Sequence, residues 1–508
     1  MPNLTWNKKE KEVQIKPEIN IHFEIKERFG QNSKKIPINN LNKILEKGNW
    51  HNLLFLGDNK LVLKFLLNYF KEKIDLIYFD PPFATGGKFN YKIIIGENSK
   101  STQSKYWIRK KAYDDYWAGG IDTYLNFIYE RLLLMKELLL ETGSIYIHLD
   151  WHISHYVKIL MDEIFGIKNF RNEIIWHYPA ASAKTKRFYV RSFDVILFYT
   201  KSDNYIFNDD PQIYMDYSDR VKKTLKKDDN GIYYYRGGSH DGIKLSQKVY
   251  IKRDGVFPRD VWTDIPYIRA NTLEYQGFST QKPERLLKRI ILASSNENDL
   301  IADFFCGSGT TLAAAEKLKR RWIGCDITQH AIYITLKRLL NLPNSNNLLN
   351  WKTDYKKKCS QFLLLGERNF INKKNLMDFD FFKKNLDINY ILNEKNNPDF
   401  KVEIEQSNKS VVISLKDYII PYKNFIKDNI LRNINKFSDW IDFWAIDFNY
   451  NGEIFNYDWY SFRSPKNRKI ILKTPPYHYN TSGTFEIMIK VVNIFGLVLF
   501  KSQKIYIP

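Results

Sequence analysis

Two short apolar runs end in an aspartate and then turn abruptly: "LIYFDPPF" at Leu76–Phe83 and "LIADFFCGSGTT" at Leu300–Thr311. Neither can lie inside a long helix. Consecutive prolines remove amide donors and push the preceding residue toward extended backbone, and Gly-Ser-Gly is the chemistry of a tight turn. Each run therefore reads as a buried strand that stops at its acid. The segments around them have helical spacing: "LVLKFLLNYFKEK", "YLNFIYERLLLMKELLLETG" with Gly143 as its C-terminal stop, and "SHYVKILMDEIFG". "SIYIHLD" reads as a further strand between the last two helices. Buried strands alternating with helices predict an α/β domain with a doubly wound, mostly parallel sheet, the Rossmann-like arrangement.

The 508 residues divide by texture. Residues 1–50 read as a basic arm with little core of its own. Residues 51–178 and 279–355 carry the α/β rhythm, and 179–278 interrupt it with an insert rich in aromatics, basic residues and turns. Residues 356–508 read as a β-rich C-terminal domain of open role, closing on the alternating "GTFEIMIKVVNIFGLVLFKSQKIYIP". Within the first α/β part, residues 84–116 form a Gly-, Lys- and Ser-rich stretch, long for a plain connection and so a candidate functional loop. The formal charge of +21 favours a polyanionic partner, nucleic acid above all. Three widely spaced cysteines fit neither a disulfide framework nor a zinc cluster. With no signal-peptide pattern and no uncharged run near the ~18 residues of a membrane span, the expectation is a cytoplasmic protein without a membrane segment.

The turn after Asp303 offers Gly307 and Gly309, which let backbone approach a ligand, and a second strand then ends at Asp326. An acid about 20 residues beyond a glycine turn is where doubly wound sheets bind a ribose. The turn lacks the third glycine of a dinucleotide site and the Gly-Lys-Ser/Thr of a phosphate loop. A nucleoside ligand without phosphates suits it better, S-adenosylmethionine being the obvious one, with Asp303 toward its amino-acid end and Asp326 toward its ribose. At the other strand end, Asp80, Pro81 and Pro82 make an acceptor-only turn backed by Phe83. Such a turn suits an exocyclic amine on a stacked base. A strand cap followed by a rigid turn explains a bare Asp-Pro-Pro equally well.

Taken together, "DPPF" at Asp80–Phe83 and "DFFCGSGTT" at Asp303–Thr311 resemble the catalytic and cofactor motifs of the DNA amino-methyltransferases. Their order, catalytic motif first, resembles the β class, which includes type III modification subunits and many type II enzymes. "LGDN" at Leu56–Asn59, "TQKPERLL" at Thr280–Leu287 and "FRNEIIWHY" also resemble segments of that family, and the resemblance spans roughly residues 50–355. It implies Asp80, Pro81, Pro82 and Phe83 at a flipped base. It also implies Asp58, Lys282, Asp303, Phe305, Gly307, Gly309 and Asp326 around S-adenosylmethionine. Phe83 stands where many relatives carry Tyr. The implied reaction is methyl transfer to a base amine in double-stranded DNA. Adenine N6 is favoured over cytosine N4 by the Asp at the first catalytic position.

The insert sits where the β class carries target recognition. Arg187, Arg191, Arg236, His240, Gln247 and Arg269 are its candidate base readers. Lys88, Lys92, Arg109, Lys110 and Lys111 make the long loop a candidate DNA clamp, against the plain alternative of a solvated basic loop. His148, Asp150, His152 and His155 lack a zinc pattern, so no metal is expected. Cys306 reads as a small buried hydrophobe. A homodimer and a restriction subunit are admitted as partners. The competing readings are an RNA or protein amino-methyltransferase and a DNA-binding specificity subunit without catalysis.

Overall fold

A computed structural model describes residues 4–6, 9, 22–30, 50–97, 107–179, 187–240, 243–251, 255–367, 399–420, 423 and 426–508. In chain order the first elements are β1 (Phe23–Phe29), β2 (Asn52–Leu56), α1 (Asn59–Phe70), β3 (Ile74–Phe79), β4 (Lys88–Ile94), β5 (Trp107–Asp114), α2 (Gly120–Leu138), β6 (Leu139–Leu149) and α3 (Ser154–Phe165). There follow β7 (Phe170–His177), β8 (Phe193–Thr200), α4 (Asp219–Lys223), β9 (Lys226–Asp228), β10 (Gly231–His240), β11 (Ile243–Tyr250) and β12 (Val261–Trp262). Next are α5 (Glu284–Ser294), β13 (Leu300–Asp303), α6 (Thr310–Lys317), β14 (Arg321–Asp326), α7 (Gln329–Leu340) and β15 (Phe362–Glu367). The C-terminal part holds β16 (Asp399–Ser407), β17 (Ser410–Ile419), α8 (Asp428–Leu431), β18 (Ile441–Asp447), β19 (Phe455–Asn456), β20 (Trp459–Phe462), β21 (Tyr477–His478), β22 (Gly483–Asn493) and β23 (Val498–Ile507).

The central sheet runs β12-β7-β8-β6-β3-β13-β14-β2-β15-β1-β19, and its middle, from β6 to β15, is parallel. Apolar side chains on both faces explain the near-continuous burial of β3, β13 and β14. Helices α1, α2 and α3 pack with one face, α5, α6 and α7 with the other. From β3 the chain crosses to β6 on one side, whereas from β13 it crosses to β14 on the other. The strand order therefore reverses between β3 and β13, and the crevice at such a reversal is where doubly wound sheets bind ligands. The expected doubly wound, mostly parallel sheet with a strand-rich C-terminal region is the observed one.

Several expectations need correction. Residues 23–29 belong to no arm. They form β1, antiparallel to β15, because Phe23, Ile25 and Phe29 are buried and Glu27 is matched by Lys490 and Tyr457 from the C-terminal part. Gly143 does not stop a helix. Helix α2 ends at Leu138, and Gly143 lies within β6, where a Cβ would stand 3.0 Å from the Ile74 carbonyl oxygen. The expected insert also contains β8, a fully integrated strand between β7 and β6 whose residues from Asp194 to Thr200 are buried. Past residue 356, β15 still belongs to the central sheet. The long loop after Phe83 carries an antiparallel hairpin, β4 with β5.

Candidate active site

Strands β3 and β13 are neighbours with Tyr78 opposite Asp303, so Asp80 and Asp303 emerge at one edge. A cavity there is lined by Asp80, Pro81, Pro82, Phe83, Lys282, Asp303, Phe305, Gly307 and Asp326. These are nine of the eleven residues expected at the base and the cofactor. The two others lie outside the lining. Asp58 caps α1, accepting from the Lys60 amide at 2.7 Å and from Arg131 Nη2 at 3.1 Å. Gly309 caps α6 in the left-handed region, φ 73°, where a Cβ would meet Thr335 at 2.7 Å. Only glycine fits that close approach.

The turn after Asp80 is pinned from across the β4–β5 hairpin. Asp115, fully buried, accepts from the Ala84 amide at 2.9 Å, the Thr85 amide at 2.7 Å and the Thr85 hydroxyl at 2.8 Å. Asp115 was not legible as a site residue, since nothing local marks it. Lys282, expected beside the cofactor, does more: its Nζ donates to both Asp80 oxygens, at 2.9 and 2.7 Å, and stands 5.1 Å from the Phe83 ring centre. The Lys282 carbonyl accepts from the Thr310 hydroxyl at 3.1 Å, and Arg338 donates to that hydroxyl at 2.8 Å. The lysine backbone is thus tied to the start of α6.

Among the described residues, Asp303 and Asp326 have no such counterion. Asp303 accepts from the Phe305 amide at 3.0 Å and the Thr311 hydroxyl at 2.5 Å. Burial, reinforced by the charges of Asp80 and Asp326, pushes its carboxyl up to about 7 despite those hydrogen bonds. Asp326 accepts from the Gly307 amide at 3.1 Å and from the Thr328 amide and hydroxyl at 2.8 and 2.9 Å, and burial raises it as well. Three carboxylates and one ammonium leave the cavity net acidic. It suits a cationic ligand and disfavours phosphates. S-adenosylmethionine, with its sulfonium and ammonium, fits that electrostatic description. Ile327, 48% exposed and lining the same cavity, adds an apolar surface beside Asp326. Its position just after a ribose-type acid could have signalled it.

A second recess adjoins the first, sharing Phe83, Thr280 and Lys282, and is walled by Trp176, Tyr178, Tyr267, Asp150, Arg191 and Asp194. Behind Phe83 runs a hydrogen-bonded chain: Tyr78 OH to His148 Nδ1 at 2.8 Å, His148 Nε2 to Asp194 at 2.9 Å, and Tyr178 OH to Asp194 at 2.8 Å. The His148 ring lies nearly parallel to Phe83, 15° between planes with centres 6.2 Å apart. Burial pushes Asp194 up, but the His148 hydrogen bond, its charge and that of Lys282 hold it below the usual range. His152 pairs with Asp150, and among the described residues no group of three or more metal-ligating side chains occurs. Burial drives the Cys306 thiol far up, which disfavours a thiolate.

Of the expected DNA contacts, Arg191 reaches the recess, its guanidinium 3.7 Å from the Trp151 ring centre. Arg269 is exposed, 5.3 Å from the ring of Tyr267. Arg187 is exposed nearby in sequence, and Arg236, His240 and Gln247 lie on the β10–β11 hairpin. Lys88, Lys92, Arg109, Lys110 and Lys111 fall on β4 and β5, with Lys92 opposite Arg109 and Tyr91 opposite Lys110. Their side chains lie outside the described residues.

The DNA methylase family model matches residues 74–337, more than half of the chain. The chain belongs to this family. Type II methyltransferase M.EcaI of Enterobacter cloacae is 32% identical over 330 residues, covering 56% of this methylase and 69% of the relative. DNA adenine methyltransferase YhdJ of Escherichia coli is 30% identical over 269 residues, 53% of the methylase and 76% of YhdJ. The StyLTI Mod subunit of a type III restriction-modification enzyme of Salmonella typhimurium is 26% identical over 359 residues, 57% and 54% of the two chains. The crystal structure of an M1.HpyAVI–SAM complex aligns over 56% of the methylase and 98% of that chain, at 18% identity and a TM-score of 0.33. Among the described residues no helix of the methylase is long and apolar enough to cross a membrane.

Proposed function

We propose that the protein methylates the N6 amine of adenine in duplex DNA, at specific sites, with S-adenosylmethionine as donor. The observation that carries this reading is the junction of the two cavities. An acidic one holds Asp303 and Asp326, an aromatic one holds Trp176, Tyr178 and Tyr267, and both are lined by Phe83 and Lys282. The first would hold the cofactor, with Asp303 toward its ammonium and Asp326 toward its ribose; the cofactor supplies an electrophilic methyl. The second would take a base rotated out of the duplex, stacked on Phe83.

Asp80 lines the acidic cavity and accepts from Lys282, which lines both. A base amine is a poor nucleophile because its lone pair is shared with the ring. Accepting an N–H bond onto Asp80 concentrates that lone pair on nitrogen as transfer proceeds. A carboxylate has about four lone-pair sites, so Asp80 can keep Lys282 and still accept from the amine. Lys282 orients the acceptor, and Asp115 fixes the turn that carries it. Adenine as the target is supported by Asp80 at this position and by the similarity to an adenine methyltransferase.

The restriction subunit remains a proposed partner, supported by similarity to a type III Mod subunit; a homodimer and a cytoplasmic location are likewise proposals. The test is a nucleoside digest of duplex DNA of varied sequence after incubation with protein and labelled cofactor. N6-methyladenine is expected, and its loss in Asp80→Ala. N4-methylcytosine would move the target to cytosine. Label in RNA alone would overturn the DNA reading.

A further inference from the structure

The β10–β11 hairpin stands apart from the central sheet, in a small sheet ordered β11-β10-β9. Strand β10 is ten residues long, about 33 Å at ~3.3 Å per residue. The two faces of this ribbon differ. On one, Lys248 pairs with Asp228, Tyr250 OH donates to Asp228 at 3.0 Å, and Lys248 Nζ lies 4.0 Å from the Tyr233 ring centre. That face is knit to itself. On the other, Arg236 lies directly opposite Gln247, both exposed.

We infer that this ribbon enters the major groove and that Arg236 and Gln247 read adjacent base pairs, Arg236 a guanine and Gln247 an adenine. The major groove, about 12 Å wide, admits a two-stranded ribbon, and these two side chains make bidentate bonds to guanine O6/N7 and adenine N6/N7 respectively. Directly opposed residues have Cβ atoms about 4.5–5.5 Å apart, close to the ~3.4 Å step between bases along a strand. The pair therefore spans neighbouring steps. Exposed Lys227 lies on the Arg236 face nearer the root, placed for a phosphate. The root is tied to the base recess. Met215 bridges to Val256, and the chain then runs through Trp262, paired at the β7 edge, to Tyr267 in the recess wall. A ribbon held there lies on the DNA that delivers the base.

This inference rests on the DNA-methylation reading and names which residues select the site. The full-length protein is incubated with a randomised duplex pool and S-adenosylmethionine, and the methylated molecules are sequenced. Wild type is expected to return one motif. Arg236→Ala should relax one G·C position by about ten- to hundred-fold and Gln247→Ala the adjacent A·T position similarly. Arg236→Lys should relax the same position as Arg236→Ala, because it keeps the charge and loses the planar fork. Lys227→Ala should weaken methylation uniformly and reduce the salt dependence of binding by about one phosphate contact. If Arg236 and Gln247 variants keep the full motif, or lose activity evenly across all contexts, the assignment is wrong. If wild type methylates no DNA at all, the function reading itself fails and this assignment falls with it.

Discussion

Strands β3 and β13 lie side by side and end at one edge in an acid, yet the two acids are kept very differently. Asp80 receives both its contacts from an ammonium of its own chain, Lys282. Asp303, only 2% exposed, is held by two uncharged donors, and its carboxyl sits near 7. One strand end carries its counterion with it; the other is held by an amide and a hydroxyl. The same local pattern, apolar run then aspartate, thus yields an ion-paired acid in one case and an acid held by uncharged donors in the other.

The largest effect should come from breaking the Asp80 side. Asp80→Ala should lower methyl transfer by about a thousand-fold, the scale of losing one preorganised electrostatic partner. Cofactor binding, measured by calorimetry, should survive. Equal loss of both would mean that the two acids form one site without division of roles. Next, Asp303→Asn should weaken cofactor binding by about a hundred-fold, since a hydrogen-bonded charge pair inside the cavity is lost. An unchanged affinity would remove Asp303 from the cofactor.

A smaller effect is expected from Lys282→Met, which makes Asp80 resemble Asp303 by leaving a mostly buried acid without its cation. Both side chains retain some exposure, 10% for Lys282 and 18% for Asp80. The cost should therefore be about 1–3 kcal/mol, below the 3–5 of a fully buried broken pair. Denaturant melts of Lys282→Met, Asp80→Asn and the double variant measure it. The double variant should recover most of the loss, and strict additivity would show that the two groups are not coupled in solution.

Much of this site is legible in sequence because strand-end acids, paired prolines and paired glycines are local signals. Asp80, Phe83, Asp303, Gly307 and Asp326 all come from such signals, and the structure gathers them in one cavity. What was not legible depends on distant partners. Lys282 and Asp80 are separated by 202 positions, and no spacing rule joins them. Asp115 pins the turn after Asp80 across a hairpin of which the sequence showed only a basic loop. Strand β1 was hidden because "FEIKERF" carries charges, one of which, Glu27, is matched by Lys490 and Tyr457. Strand β8 was buried in a stretch whose overall texture is irregular, although "FDVILFYT" itself is an apolar strand sequence. Local chemistry marks where a site begins; long-range pairing decides what else reaches it.

The smallest effect sharpens the comparison through pH. Asp303 is raised from an ordinary 3.8 to about 7, so below that pH the folded, cofactor-free protein favours its protonated form. Between about pH 4 and 7 the folded state binds the extra proton, so this group's contribution to stability declines as pH rises through that window and levels off above it. A cationic cofactor needs the ionised form, so its affinity should rise with pH up to about 7 and then plateau. The Thr311 hydroxyl lowers the Asp303 carboxyl's value by its hydrogen bond. Thr311→Val should move the plateau upward by about one pH unit, the equivalent of ~1.5 kcal/mol for a bond to a charged group. Cofactor titrations from pH 5.5 to 9 would show the shift. An affinity flat with pH in the wild type would mean that Asp303 is already ionised before the cofactor arrives, and the contrast with Asp80 would disappear.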